Sequence, residues 1–331
     1  MQIVADPIDR DLLDNWQRDF PVEPAPFVAL AQALGLTEGE VLGRLEKMRQ
    51  NGRITRVGAT CAPNTVSAST LAAIAAPHPR IDEVAAIIGT EPGVNHSYLR
   101  EDMWNLWFVL TGPDRAYIDA ALERIEARAG LRVLDLPMVR AFNVDLGFRM
   151  GGGVRMPVPP ARPADRAALR PGDRDILQAL TRGLTLTARP YAALAERLDR
   201  PEAEILTRIG ALLAAGLITR LGVIVRHRAL GWRANAMVVW DIAADRIDRA
   251  GPALAAHPGV TLCYERQIVP GVWPYPLFSM IHARSRPEAL AHLQGAAALP
   301  ELAGATHKVL FSTHCYKQTG AMISAKRGHS A

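Results

Sequence analysis

The chain has 331 residues, of which 49% are hydrophobic and 21% are charged, and its formal net charge is +5. This length and composition provide for two or more domains with their own cores and exclude a chain that is disordered throughout. The sequence has no run of about eighteen apolar residues, and residues 1–6 lack the basic and apolar regions of a signal peptide. We therefore expect a cytoplasmic protein without a membrane-spanning segment.

The cysteines and the positive charge limit the kinds of site and partner. Cys61, Cys263 and Cys315 form no CxxC pair and leave one cysteine over, which suits a reducing compartment. We therefore predict no zinc site and assign no bound metal. The pI near 9.4 favours an anionic partner and leaves nucleic acid, a polycarboxylate ligand and simple solubility open.

The sequence contains an internal repeat. The segment that begins at Asp9 recurs from Asp173, and the same offset holds for about fifty residues. Residues 52–58 (GRITRVG) thus match residues 216–222 (GLITRLG). The repeat predicts an intramolecular pseudo-dimer. Its copies differ most where polar and aromatic residues gather, so one half can bind while the other does chemistry.

Each copy begins with the pattern of a winged helix-turn-helix, over residues 1–60 and 172–228. Asp9 and Asp173 are predicted to cap the first helices. The second helices are predicted at 27–34 and 191–198, and the third at 37–51 and 200–215. In the third helices the apolar residues recur at core-facing spacing: Val41, Leu45, Met48, Ile205, Ile209 and Leu212. A short hairpin follows, with wing strands at 54–57 and 218–221.

The remainder of each copy alternates strand and helix signals. In copy one we predict strands near 67–76, 94–100, 104–110 and 132–148, with helices near 81–88 and 114–129. This order is the βαββαβ of a ferredoxin-like domain, at 61–149 in copy one and 229–320 in copy two. A Gly- and Pro-rich linker over 150–171 joins the copies, and residues 321–331 form a tail. The predicted fold class is α+β.

A winged helix followed by βαββαβ resembles the Lrp/AsnC regulators, whose ferredoxin-like domains pair across a dimer. A more specific resemblance covers nearly the whole chain twice, to siroheme decarboxylases in the fused form of the haem d1 pathway. The strings that support it are residues 92–101 (PGVNHSYLRE), 104–107 (WNLW), 258–266 (PGVTLCYER) and 311–320 (FSTHCYKQTG). The resemblance implies removal of CO2 from the C12 and C18 acetates of siroheme. It also implies no added cofactor, because siroheme brings its own iron.

His96, Tyr98 and Arg100 are candidate catalytic residues, because alternate residues of a strand project from one face. Arg100 could hold a carboxylate while His96 donates a proton or ligates iron, and Tyr98 could orient either. A satisfied sheet histidine and a salt-bridged arginine are the alternatives. The aligned face of copy two has leucine in place of the histidine and keeps Tyr264 and Arg266, which we predict to bind substrate.

Four further side chains complete the candidate site. His314, on the last predicted strand, is a second candidate for acid or iron ligand, and Lys317 a carboxylate contact. Trp104 and Trp273 could stack on a flat macrocycle, with ordinary core packing as the alternative. His227 is predicted to lie in a solvated turn.

Two other functions stay open. The architecture and basic charge would suit a DNA-binding regulator. After its first residue, however, the third helix of copy two has Arg208 alone among glutamates, alanines and leucines. We therefore expect siroheme, rather than DNA or a membrane, as the partner. A tetrapyrrole sensor without catalysis would use the same residue types. The sequence leaves open whether the fused chain forms a homo-oligomer.

Overall fold

The computed structural model describes residues 6–143 and 163–324. These form a mixed α and β chain built as two copies of one unit, each with three helices followed by a βαββαβ domain. No helix in the described residues is both long and apolar enough to cross a membrane. Most of the predicted linker (150–171) and of the predicted tail (321–331) lies outside the described residues.

The first copy contains the elements α1 (Pro7–Asn15), α2 (Pro26–Leu34), α3 (Glu38–Gln50), β1 (Ile54–Cys61), β2 (Ala68–Ile74), α4 (Ile81–Thr90), β3 (Val94–Arg100), β4 (Leu106–Gly112), α5 (Arg115–Ala129) and β5 (Val133–Asn143). The second contains α6 (Asp173–Arg182), α7 (Pro190–Leu198), α8 (Glu202–Ala214), β6 (Ile218–Val225), β7 (Ala234–Asp241), α9 (Ile247–Ala256), β8 (Leu262–Arg266), β9 (Leu277–Ala283), α10 (Arg286–Ala297) and β10 (Thr306–Gln318). The predicted order of elements is therefore confirmed. The predicted end of the last strand in copy one, beyond residue 143, lies outside the described residues.

The three-helix units are held by apolar stripes and buried ion pairs. The predicted core stripe of the third helices is fully buried: Val41, Leu45, Met48, Ile205, Ile209 and Leu212. Asp6 caps α1 by accepting two backbone amides. The prediction that Asp9 and Asp173 are the caps is wrong, because their carboxylates bind Arg44 and Arg208 of the third helices.

The wing strands pair with each other instead of folding back as hairpins. β1 and β6 run antiparallel, with Gly58 opposite Gly222. A Cβ on Gly222 would lie 2.4 Å from the backbone of Gln17, so this approach requires glycine. The predicted hairpin within each copy is wrong, because the other copy supplies the partner strand. The helices of both copies share one hydrophobic core around this ribbon.

The third helices, which would enter DNA in a winged-helix regulator, have most of their basic side chains in ion pairs. Arg208, in α8, lies 2.7 Å from Asp173, and both side chains are almost fully buried. In α3, Arg44 and Arg49 also pair with carboxylates. Few cations are left to neutralise phosphates, so these helices are better suited to a scaffold than to reading DNA.

The two βαββαβ domains join into one closed barrel with the strand order β10-β3-β4-β2-β5-β8-β9-β7. β5 and β10 close it, because each pairs first within its own domain and then with the other copy. All neighbouring strands are antiparallel, so equivalent strands of the two copies, such as β3 and β8, run in the same direction. The copies are therefore related by an approximate two-fold axis along the barrel, and equivalent strand ends meet at the same mouth.

The two mouths of the barrel differ in chemistry. At the aromatic mouth, Trp104, Trp107 and Trp273 pack in an apolar cluster at the starts of β4 and β9, with the rings of Trp107 and Trp273 5.1 Å apart. The opposite mouth is formed by the starts of β2, β3, β7 and β8 and the ends of β4, β5, β9 and β10. The wing strands lead into it through residues 62–67 and 226–233. The helices α4, α5, α9 and α10 cover the outside of the barrel.

Candidate active site

Three histidines from the two copies lie at the mouth that adjoins the wings, which we call the histidine mouth. His96 is on β3, His227 follows the wing strand of copy two, and His282 is near the end of β9. The rings of His227 and His282 meet edge to face at 4.6 Å. Burial, and then repulsion from Arg228 and His96, lowers the pKa of His227 to about 4. His227 is buried, so its predicted place in a solvated turn is wrong.

The side chains predicted to share one face of β3, His96, Tyr98 and Arg100, lie at this mouth. The rings of His96 and Tyr98 stack at 6.4 Å, and the guanidinium of Arg100 lies 5.5 Å from the Tyr98 ring. The neighbours on the strand, Val94 and Leu99, pack instead in the core beneath the outer helices. A register shift between Val94 and His96 brings Asn95 beside the histidine, where its Oδ1 lies 3.0 Å from His96 Nδ1. The sequence therefore grouped these three residues correctly.

The surroundings of His96 keep its imidazole neutral. Burial, and then the charge of Arg56, lower its pKa to about 4. The ring keeps part of its surface accessible. The amide of Asn95 donates to Thr111, so its oxygen accepts from His96 Nδ1. Nε2 is therefore the nitrogen that can accept a proton.

Arg100 is held by a chain of hydrogen bonds that crosses into copy two. Its guanidinium donates to Leu310 O at 2.9 Å and to Asn235 Oδ1 at 3.3 and 3.4 Å. Asn235 Nδ2 donates to His282 Nε2 at 3.0 Å, so the proton of His282 is on Nδ1 and donates to Thr261 Oγ1 at 2.7 Å. Both nitrogens of His282 are thus used in positioning Arg100. No sequence pattern indicated Asn235 or His282, because they join this chain of hydrogen bonds only through the barrel pairing.

Three arginines near the histidine mouth have no carboxylate partner among the described residues. Arg56, Arg100 and Arg228 each have a buried nitrogen that makes no hydrogen bond. Burial, with repulsion from Arg220, lowers the pKa of Arg56 to about 10. Burial, with repulsion from Arg228, lowers the pKa of Arg100 to about 10. Positive charge held without a counter-charge attracts anions, so this mouth is suited to a ligand with several carboxylates.

The structure does not bring His314 and Lys317 to this mouth. His314 is exposed, and its ring lies 4.5 Å from that of Tyr316, which bonds to Asp82 on the outside of the barrel. The ammonium of Lys317 donates to the carbonyls at the end of α4. Register shifts in β10 on either side of residues 314 and 315 turn Cys315 inward, where it contacts Tyr98. An alternation rule alone could not place these shifts.

The substrate-binding residues predicted in copy two, and Trp104, lie in the packed interior. Trp104 and Trp273 belong to the apolar cluster of the aromatic mouth, and Tyr264 packs against it. Arg266 donates to Leu136 O at 2.8 Å and lies 5.2 Å from the Tyr264 ring. The structure therefore favours a packing role for Trp104 and Trp273, and it separates them from His96.

The free protein is expected to lose stability in mild acid. The pKa values of His96 and His227 are about 4 in the folded protein, against 6.5 for an ordinary histidine. Between these values the unfolded chain takes up protons that the folded chain does not. The contribution of these two histidines to the free energy of unfolding is complete above pH 6.5 and decreases as the pH falls toward 4. The decrease is about 2 kcal/mol per histidine between pH 6.5 and pH 5.

Urea unfolding at pH 7 and pH 5 measures this difference. A His227→Gln variant should show about half of the histidine contribution, because glutamine does not titrate. An equal difference in the variant and the parent protein would contradict the assignment.

Two family models match the chain. The AsnC-like ligand binding domain matches residues 66–143 and 229–317, the two ferredoxin-like domains. The siroheme decarboxylase NirDL-like HTH domain matches residues 9–54 and 173–218, the two winged-helix units. Each model thus matches both copies of the repeat.

The chain is also similar to curated proteins along nearly its full length. It is 57% identical to the siroheme decarboxylase NirDL subunit of Paracoccus denitrificans, over 97% of this chain and 99% of that protein. It is likewise 57% identical to the NirDL subunit of Paracoccus pantotrophus, with the same coverage. A crystal structure of the siroheme decarboxylase NirDL in complex with an iron-uroporphyrin III analogue superposes with a TM-score of 0.67 at 26% identity. That match covers 95% of this chain and 93% of the other.

Proposed function

The chain belongs to the siroheme decarboxylase family, and we propose that it removes CO2 from the C12 and C18 acetates of siroheme to give 12,18-didecarboxysiroheme, a step of haem d1 biosynthesis. The observation that supports the histidine mouth as the site is its three arginines without carboxylate partners. Siroheme has acetate and propionate groups around its rim, so it supplies the negative charge that these side chains lack.

Binding follows from this complementarity. Arg56, Arg100 and Arg228 would hold carboxylates of the substrate by charge-assisted hydrogen bonds. Arg100 is already oriented by Asn235 and Leu310 O, so little conformational freedom is lost when it binds. Tyr98 supports the guanidinium through its ring.

Decarboxylation requires a proton donor and a group that accepts the electron pair of the broken C–C bond. When the bond between the acetate methylene and its carboxylate breaks, the electron pair passes to the macrocycle and CO2 leaves. A proton then forms the new C–H bond of the methyl group, so each step consumes one proton. Carboxylates bound beside His96 raise its pKa, so the histidine can take up a proton on Nε2 and deliver it to carbon. No cofactor beyond the substrate's own iron is part of this proposal.

Anaerobic incubation of the purified chain with siroheme tests the activity, with product mass as the readout. We expect loss of the mass of two CO2 molecules. Tight binding of siroheme without a change in mass would favour a sensor. The absence of both binding and turnover would overturn the proposal and favour a DNA-binding regulator.

A further inference from the structure

The histidine mouth is asymmetric across the two-fold axis of the barrel. Residues 226–233, which lead from the wing into copy two, contain three arginines and one histidine, whereas residues 62–67 of copy one contain neither. Asn235 lies opposite His282 on β7 and β9, and the equivalent pair on β2 and β4 is Ser69 and Thr111. The position equivalent to His96 on β8 is a leucine. Only one side of the mouth therefore combines histidines with unpaired cations.

The end of the chain runs from the start of β3 to the end of β4 at this mouth. After β10, the amide of Thr319 donates to Asn95 O at 2.7 Å, and the amide of Met322 donates to Thr111 Oγ1 at 2.8 Å. Ile323 is fully buried in the core of the winged-helix units. A Cβ on Gly320 would lie 2.1 Å from the carbonyl oxygen of Thr181, so this segment is closely packed. Residues 319–324 thus begin beside His96 and reach Thr111, the counterpart of His282, where the histidine of a second, equivalent site would lie.

We propose that each chain has a single reactive position, at His96, and that the two acetates react there in turn. The monodecarboxylated macrocycle leaves after the first step and rebinds turned over for the second. This inference rests on the proposed function, and it specifies how one asymmetric site performs two reactions.

The substitution pattern of siroheme suits such a reorientation. The acetates at C12 and C18 are on neighbouring rings, and each has a propionate beside it, at C13 and C17, next to the meso carbon C15. Turning the macrocycle over about the line through C5 and C15 exchanges the two acetates and the two propionates. The same arginines can therefore hold ring C or ring D. Each passage breaks one C–C bond, releases one CO2 and consumes one proton.

A pulse–chase experiment tests the release step. The enzyme first reacts with unlabelled siroheme until only part of that siroheme has lost CO2. A large excess of ¹³C-labelled siroheme is then added anaerobically. We expect the unlabelled monodecarboxylated species to persist in solution, because labelled substrate competes for its rebinding. Complete conversion of the unlabelled pool to didecarboxysiroheme would overturn the proposal. Loss of no CO2 at all would instead overturn the proposed function.

A second measurement tests the single reactive position. The monodecarboxylated intermediate, isolated from the parent enzyme, is given to a His96→Ala variant, with His314→Ala as the matched control. We expect His96→Ala to slow this second step by the same factor as the first step with siroheme. A variant that fails on siroheme and still decarboxylates the intermediate at the parent rate would show a second reactive position.

Discussion

Replacing His96 by alanine is expected to slow the loss of CO2 from siroheme by about 10²- to 10³-fold, the usual size of a general acid–base contribution. The substitution removes the Nε2 atom that would take up and deliver the proton, and it leaves the three arginines in place. Siroheme should therefore still bind, and the loss should appear in the rate at saturating substrate. Initial rates of product formation, measured anaerobically by mass, check this result.

His314 provides the matched control for that experiment. It is also a histidine on a strand of the barrel, but it is exposed and its ring contacts Tyr316 on the outside. His314→Ala should leave the rate within about twofold of the parent, because a surface substitution away from a network has little effect. A large loss in His314→Ala with an unchanged rate in His96→Ala would place the chemistry outside the histidine mouth.

The sequence was sufficient to predict β3 and the three side chains that share one of its faces. Alternation along this strand depends only on local backbone geometry, so His96, Tyr98 and Arg100 could be grouped without knowledge of the fold. The apolar stripes of the third helices were equally local and are confirmed. Local rules failed in β10, where two register shifts decide which side chains face inward. Their positions depend on the partner strand, so alternation along β10 could not show that His314 lies outside the histidine mouth.

The contacts between the copies could not be predicted from either copy alone. The repeat predicted a pseudo-dimer, but an edge strand gives no local sign of which partner will cover it. The wing strands therefore pair across the copies instead of forming hairpins. The barrel closure brings Asn235 and His282 to Arg100 from more than a hundred residues away. The residues around Arg100 therefore include two, Asn235 and His282, that the pattern on β3 did not indicate.

The geometry also changes how the two copies divide the work. His96 and Arg100 belong to copy one, whereas His227, Arg228 and Asn235 belong to copy two. The proposed reactive position would therefore use residues of both copies, in contrast to a strict division into a binding half and a chemical half. Fusion in one chain keeps two non-identical halves together in a fixed ratio, which an asymmetric site requires.

Replacing Arg100 by methionine is expected to weaken siroheme binding by about 100-fold, since truncating one partner of a buried charge pair costs about 2–5 kcal/mol. In the bound state the variant would leave a substrate carboxylate without its donor. Asn235 Oδ1 and Leu310 O would also lose their hydrogen bonds, so we expect some loss of stability. Anaerobic titration of the siroheme absorbance gives the dissociation constant, and urea unfolding gives the stability.

The pseudo-symmetric Arg266 separates these two effects. It is as deeply buried as Arg100, donates to Leu136 O as Arg100 does to Leu310 O, and lies over the equivalent tyrosine. Arg266→Met should therefore destabilise the fold by a similar amount, yet leave siroheme binding within a few fold, because the charge near Arg266 is the carboxylate of Asp135, whereas the charge near Arg100 is the guanidinium of Arg228. Equal losses of affinity in both variants would mean that the effect arises from the barrel as a whole. A loss confined to Arg100→Met locates carboxylate binding at the histidine mouth.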